Sequence, residues 1–145
     1  MIRKEGNQIL TKKCKPVTKE NYKSIGNRFL MRTIPHRTEG LGFAGNQLGV
    51  PYQIFAMKRK GILEVMMNPK ILEFTGKMIK VNEGCLSIPN KRFEVKRFTS
   101  LVLEYRNKNF DKVVVKIEDF LHAQIVQHEV DHLNGVLISN HGSII

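Results

Sequence analysis

The first apolar pattern along this chain has helical spacing and lies near the N-terminus, where it comprises Tyr22, Ile25, Phe29 and Leu30. We expect a helix over about residues 18–33, with Thr18 as its N-cap. Pro35 should end or kink this helix, because proline lacks the N–H that an intrahelical hydrogen bond needs. A glycine-rich turn follows at residues 40–45.

The middle of the chain carries shorter apolar and β-branched runs separated by Gly, Asn, Pro and Asp, which is the pattern of strands joined by turns. The predicted strands cover residues 53–58, 62–67, 77–81, 93–96, 101–105 and 113–117. Helical spacing then returns over about residues 119–134, with one broad apolar face and with Gly135 at the C-terminal cap position.

This order of helix, strands and helix predicts an α+β fold. We expect mostly antiparallel sheets packed around a central C-terminal helix, with one N-terminal helix in addition. A chain of 145 residues can bury a core of its own, so residues 1–145 are expected to form a single domain. We expect this domain to be a monomer.

The charge of the chain is strongly basic. Lysine and arginine outnumber aspartate and glutamate by 24 to 13, which gives a formal net charge of +11. Such a surface would attract a polyanion such as RNA, although scattered charges are also typical of basic surfaces that bind nothing.

Cys14 and Cys85 follow no signal-peptide pattern, and no apolar stretch approaches the roughly 20 residues of a membrane span. We therefore expect free thiols, a cytoplasmic protein and no membrane partner.

The second predicted helix contains an intact H-E-x-x-H sequence at residues 128–132. The i, i+4 spacing places the imidazoles of His128 and His132 on one face, so that both can reach one metal ion. Glu129 lies beside them and is suited to act as the general base on an attacking water. The motif runs into the apolar residue Leu133, which favours a buried site over two histidines that share a surface helix by chance.

A catalytic metal site of this kind needs a third protein ligand and one open position for water. The H-E-x-x-H-x-x-G-x-x-H pattern of metzincin proteases fails here, because Ile138 stands where the third histidine belongs. A downstream glutamate ligand is also excluded, since no acidic residue follows Asp131. The third ligand must come from upstream or from His141. Cys85 is the strongest candidate.

The surroundings of Cys85 suit a ligand. Gly84 permits a tight backbone path before it, and Glu83 and Ser87 offer polar partners for hydrogen bonds around the site. For one thiolate and two imidazoles, ligand chemistry alone suggests zinc, although these ligands also suit iron.

Three segments resemble the three signature motifs of peptide deformylases, in the same order and at fitting separations. They are G-L-G-F-A-G-N-Q at residues 40–47, E-G-C-L-S at residues 83–87 and Q-H-E-V-D-H-L-N-G at residues 127–135. Similarity extends to residues 67–69, 88–89 and 92, so it covers roughly residues 38–138. The resemblance implies a metal-dependent hydrolase that removes the formyl group from N-formylmethionyl nascent peptides and releases formate.

The resemblance also implies roles for individual residues. The metal ligands would be Cys85, His128 and His132, with Fe²⁺ as the native ion and Zn²⁺ or Ni²⁺ as alternatives. Gln47 and the backbone N–H of Leu86 would donate hydrogen bonds to the formyl oxygen, as an oxyanion hole requires.

The family pattern further places Gly40, Leu41 and Gly42 beside the substrate peptide, where glycines leave room and backbone groups offer hydrogen bonds. It includes Arg92 in the substrate site. Gln124 stands one turn before the first motif histidine, where the family more often has an apolar residue that lines the methionine pocket.

Two further departures concern the first motif and the end of the chain. Gly45 stands where the family usually has a second alanine. The chain ends ten residues after Gly135, whereas many bacterial members continue into a C-terminal helix that contacts the ribosome. Short members occur in phages. We expect contact with ribosomal RNA through the basic surface.

Two other classes of protein share parts of this pattern. A metalloprotease that cuts internal peptide bonds would use the same helix, but the missing third histidine weighs against it. A basic nucleic-acid-binding module with a structural metal would need a fourth protein ligand, which Cys14 or His141 could supply. Such a module would leave Glu129 without a role.

Overall fold

A computed structural model of the chain describes residues 1–141 and 143–144, apart from the side chains of His141 and Ile144. In this part of the chain the helices are α1 (Tyr22–Thr33), α2 (Phe120–Leu133) and α3 (Ile138–His141). The strands are β1 (Gly42–Ala44), β2 (Ile54–Arg59), β3 (Ile62–Cys85), β4 (Ile88–Arg106), β5 (Lys112–Ile117) and β6 (Ser143–Ile144). None of the described helices is both long and apolar enough to cross a bilayer.

The strands form one sheet in the order β1-β2-β3-β4-β5, and every neighbouring pair is antiparallel. The short β6 pairs with β4. The α+β class and the antiparallel sheet are therefore confirmed. The long strands β3 and β4 form a hairpin that closes with the two turn residues Leu86 and Ser87, so Cys85 lies at the very end of β3 opposite Ile88.

The predicted strands at 62–67 and 77–81 are parts of the single strand β3, and those at 93–96 and 101–105 are parts of β4. The sequence pattern is broken because the β3–β4 register shifts at several points, and each shift moves the apolar positions to the other face. The turn predicted at 40–45 contains the strand β1, which has no periodic signal of its own and forms by pairing with β2.

Helix α1 begins at Tyr22, so the expected N-cap at Thr18 is wrong. Thr18 instead lies in a preceding turn, where its carbonyl oxygen accepts hydrogen bonds from the backbone N–H groups of Asn21 and Tyr22. The helix ends at Thr33, and Pro35 lies in a 3-10 turn directly after it.

Helix α2 begins after Asp119, whose carboxylate accepts the backbone N–H of His122 at 2.9 Å and so caps the first turn. It ends before Gly135, whose φ of 77° supplies the left-handed conformation of a helix terminus. Its fully buried residues Val126 and Leu133 pack into a core with side chains of the sheet, and each contributes roughly 1.5–3 kcal/mol. The short helix α3 follows α2. The expectation that α2 is the last helix of the chain is therefore wrong.

Candidate metal centre and substrate cleft

Helix α2 and the end of β3 bring three ligand atoms together. The Sγ of Cys85 lies 3.3 Å from Nε2 of His132, which lies 3.2 Å from Nε2 of His128. All three atoms lie within 4.8 Å of one another. Ligands of a tetrahedral ion with bonds of about 2.0–2.3 Å are roughly 3.3–3.8 Å apart, so this donor set fits one metal ion.

The imidazole of His128 is oriented from behind by Glu83. Its Nδ1 lies 3.0 Å from Oε1 of Glu83, so a proton on Nδ1 is shared with the carboxylate and Nε2 is left to face the other two ligand atoms. Glu83 had been expected to offer a polar partner near the site. The structure shows that the side chain to which Glu83 binds is His128, a candidate metal ligand.

Glu83 is itself held by Arg97, which the sequence did not single out. The guanidinium binds both carboxylate oxygens of Glu83, at 2.8 and 2.9 Å, and also reaches Oδ2 of Asp131 at 2.8 Å. Arg97 is 4% exposed. One sequence signal was present: Arg97 continues the alternation of the apolar residues Phe93 and Val95, both of which are buried in β4.

This network sets the protonation of its members. Burial raises the pKa of Glu83, but the hydrogen bonds and charges of Arg97 and His128 outweigh burial and lower it to about 2. Burial opposes charge on His128 as well, yet its hydrogen bonds to Cys85 and Glu83 hold its pKa well above the ordinary value. The pKa of His132 lies well below the ordinary value because the ring is buried and lies near the positive His128.

Glu129 lies in the interior next to these ligands and is 4% exposed. Its Oε1 has no hydrogen-bond partner among the described residues. Burial raises the pKa of Glu129 to about 7. A β-carbon on residue 42 would lie 2.6 Å from Oε2 of Glu129 and 2.9 Å from Ile125, so the missing side chain of Gly42 makes room for Glu129.

Gln47 lies beside Cys85, in the 3-10 turn Gly45–Leu48. Its Oε1 accepts the backbone N–H of Ala44 at 3.0 Å, and this bond fixes which way the amide faces. Its Nε2 donates to Oγ of Ser87 at 3.1 Å and lies 3.8 Å from Sγ of Cys85. Leu86 is the first residue of the β3–β4 turn.

One open cleft of about 810 Å³ runs along these residues. It is lined by all but one of the residues that the sequence proposed for the site: Gly40, Leu41, Gly42, Gln47, Cys85, Leu86, Arg92, Gln124, His128 and Glu129. The exception is His132, which lies behind the other ligands and is 1% exposed. Lys4 also lines the cleft, and no sequence signal pointed to it.

Two alternatives for additional ligands have different outcomes. Cys14 is buried and does not belong to the ligand group, and burial raises the pKa of its thiol to about 11. A closed structural site that includes Cys14 is therefore wrong. The side chain of His141 lies outside the described residues.

A thiolate, two imidazoles and a neighbouring buried carboxylate at the floor of an open cleft define a metal-dependent hydrolase. The family model for polypeptide deformylase matches residues 1–144. The peptide deformylase of Halothermothrix orenii is 37% identical over 139 residues, which cover 94% of this chain and 88% of that protein.

Solved structures agree. The crystal structure of peptide deformylase from Thermotoga maritima has a TM-score of 0.85 at 35% identity and covers 97% of this chain and 95% of its own. A probable peptide deformylase from synechococcus phage S-SSM7 has a TM-score of 0.87 at 28% identity, with coverage of 97% and 98%.

The chain belongs to the polypeptide deformylase family. Its activity is the metal-dependent removal of the N-formyl group from nascent peptides. The resemblance carried by the three motifs is confirmed.

Proposed function

We propose that this chain hydrolyses N-formylmethionyl peptides with Cys85, His128 and His132 as metal ligands and with Glu129 as the proton carrier. The observation that carries the proposal is the convergence of three ligand atoms within 4.8 Å, beside a buried carboxylate oxygen that has no partner among the described residues. Helix α2 is then the metal-binding helix around which the sheet packs.

The proposed metal is Fe²⁺, with Zn²⁺ or Ni²⁺ as ions that the same ligands can hold. A bound ion supplies Lewis acidity, which makes an attacking water more acidic and stabilises negative charge on the formyl oxygen. The chain contributes the geometry: Glu83 and Arg97 fix the ring of His128, so little rearrangement is needed when the ion binds.

Glu129 carries the proton between the attacking water and the leaving amine. Its free Oε1 accepts a proton as water attacks the formyl carbon, and the same oxygen returns the proton to the amine nitrogen as the C–N bond breaks. The products are formate and a free amino terminus. A pKa of about 7 lets Glu129 accept and release a proton near neutral pH with little bias.

Gln47 and Leu86 stabilise the oxygen of the formyl group. Nε2 of Gln47 and the backbone N–H of Leu86 are the proposed donors, and both belong to elements that adjoin Cys85. The bond from Ala44 N–H to Gln47 Oε1 holds the amide with its N–H₂ toward the site. The donors are therefore oriented before substrate binds.

The peptide occupies the cleft. Gly40, Leu41 and Gly42 offer backbone groups along one side, Arg92 lies at the mouth, and Gln124 forms part of the wall for the methionine side chain. The proposed ligand set needs no residue from a second subunit, and we propose that the protein acts as a monomer in the cytoplasm.

The net charge of +11 supports ribosome contact through the basic surface. Binding to purified ribosomes should weaken steeply as salt rises, while turnover of a short neutral formyl peptide changes little. Salt-insensitive association would contradict this part of the proposal.

The decisive experiment is anaerobic purification followed by metal analysis and a formate-release assay on a formyl-Met peptide and its acetyl analogue. We expect about one divalent ion per chain and formate release from the formyl peptide alone. Cleavage at an internal bond without formate would identify a protease instead.

A further inference from the structure

The N-terminal segment crosses the mouth of the cleft and is fixed on both sides of Lys4. The backbone N–H of Arg3 donates to the carbonyl of Gln47 at 2.6 Å, and that of Glu5 donates to the carbonyl of Ser87 at 2.7 Å. The Nζ of Lys4 donates to the carbonyl of Leu86 at 3.0 Å. An ammonium group is thereby held beside the turn that follows Cys85.

Two further cations line the cleft near this turn. Lys91 and Arg92 are exposed at the start of β4. The guanidinium of Arg92 binds the side-chain and backbone oxygens of Asn82, which are neutral acceptors and do not offset its charge.

Acidic groups offset little of this charge. Glu39 is the exposed acid among the described cleft residues, and its Oε2 is turned to Nδ1 of His36 at 2.8 Å. The other two acids of the cleft, Glu83 and Glu129, are 5% and 4% exposed. Among the residues that the structure describes, the mouth therefore presents three cations and one engaged carboxylate to the solvent.

A peptide whose formyl group reaches Glu129 must leave the cleft through this mouth. An extended chain advances about 3.3 Å per residue, so the second and third residues lie roughly 7–10 Å from the formyl carbon. The Nζ of Lys4 contacts Leu86, which follows Cys85, and Lys91 precedes Arg92, the strand partner of Gly84. We therefore expect side chains at that distance to approach both lysines.

We infer that the cationic mouth, formed by Lys4, Lys91 and Arg92, selects formyl-Met peptides that carry an acidic residue at the second position. The inference rests on the proposed function and names the preferred substrates of the same site. Each exposed ion pair should change kcat/KM by about two- to fivefold, and salt should reduce the effect because the Debye length falls below about 10 Å above 0.1 M.

The test uses the metal-loaded enzyme and amidated formyl-Met-X-Ala peptides with X as Glu, Gln or Lys, so that no terminal carboxylate confuses the result. At low salt we expect the Glu peptide to exceed the Lys peptide about tenfold in kcat/KM. The ratio should approach one at about 0.5 M salt.

Charge reversal distinguishes recognition from damage to the fold. Lys91→Glu replaces one of the three cations with an anion and should reduce the Glu-to-Lys ratio toward one, whereas Lys4→Gln should reduce that ratio by about two- to fivefold. Lys108→Gln removes the same charge from the β4–β5 turn, outside the cleft, and should leave the ratio unchanged.

The inference and the proposed function fail in different ways. Absence of formate from all three peptides would overturn the proposed function. Formate release at equal rates from the Glu and Lys peptides would overturn the selection of acidic peptides and leave the deformylase activity in place. The same conclusion would follow if Lys108→Gln altered the preference as much as Lys91→Glu does.

Discussion

The carboxylate of Glu129 fills the space that a β-carbon on residue 42 would need. A methyl group there would lie 2.6 Å from Oε2 of Glu129 and 2.9 Å from Cγ2 of Ile125, and both distances are shorter than contact. The strand β1 thus fixes the position of the proposed proton carrier on α2. This packing relationship links the first sequence motif to the third.

We therefore predict that Gly42→Ala displaces Glu129, lowers kcat by about 10- to 100-fold and retains the metal, because no ligand is altered. The overpacking should reduce the free energy of unfolding by roughly 1–3 kcal/mol. Gly26→Ala on α1 is the matched control, since its new methyl meets only the flexible end of Met67. Normal kcat in Gly42→Ala would show that Glu129 tolerates displacement.

Glu129→Gln should keep the metal and lose most formate release, with kcat reduced by about 10²- to 10⁴-fold. The substitution preserves the shape of the side chain and removes its ability to accept and return a proton. Metal content per chain and formate release are measured on the same preparation. Near-normal turnover with full metal content would exclude Glu129 as the proton carrier.

Cys85→Ser should lower metal content directly, because it replaces a thiolate with a poorly coordinating hydroxyl. Cys14→Ser is the control: Cys14 is also a free cysteine, but it lies outside the ligand group. The control should keep its metal. If Cys85→Ser retained full metal and activity, the third ligand would have to be sought at His141.

The ligand positions show how far sequence reasoning extends. His128 and His132 could be placed because the i, i+4 relationship depends only on local helix geometry. The bonds from Arg97 to Glu83 and Asp131 join two strands and a helix, so they depend on register and packing that no local pattern encodes.

The same limit applies to the fold. Bulges divided β3 into separate apolar runs, so its 24-residue length was not predictable from alternation. Lys4 lies at the cleft because the backbone N–H groups of Arg3 and Glu5 donate hydrogen bonds on either side of it. Every residue type except proline has this N–H, so no sequence pattern marks the position.

Glu83→Gln tests the buried network. Removing the charge that compensates Arg97 should destabilise the metal-free protein by roughly 3–5 kcal/mol and lower metal affinity by about 10- to 100-fold. The free energy of unfolding is measured by chemical denaturation at neutral pH. Glu94→Gln, on the exposed face of β4, is the control and should change stability little.

The pH dependence of the same variant follows from the pKa of Glu83, which is lowered from 4.5 to about 2. The ionised carboxylate stabilises the fold fully above pH 4.5, and this stabilisation is lost as pH falls toward 2. The difference in stability between the native chain and Glu83→Gln should therefore shrink over that range. A difference that is constant from pH 6 to pH 2 would contradict the assignment.

Gln124 lies on the wall of the cleft, and its Nε2 donates to Oε2 of Glu83 at 3.0 Å. The amide nitrogen is thus partnered, which removes most of the roughly 1–3 kcal/mol penalty that an unpaired buried amide would carry. The effect expected of Gln124 on specificity is then the polarity that its side chain gives to the proposed methionine pocket.

Gln124→Ile should raise kcat/KM for formyl-Met peptides relative to formyl peptides with a polar first residue by several-fold, because an apolar wall favours an apolar side chain. The lost bond to Glu83 should lower turnover of both substrates together, so the ratio is the quantity to measure. Gln124→Met is the companion variant, since it keeps the length of the side chain while removing its amide, and it should shift the ratio in the same direction. An unchanged ratio in both variants would show that Gln124 acts only through Glu83 and does not contact the substrate side chain.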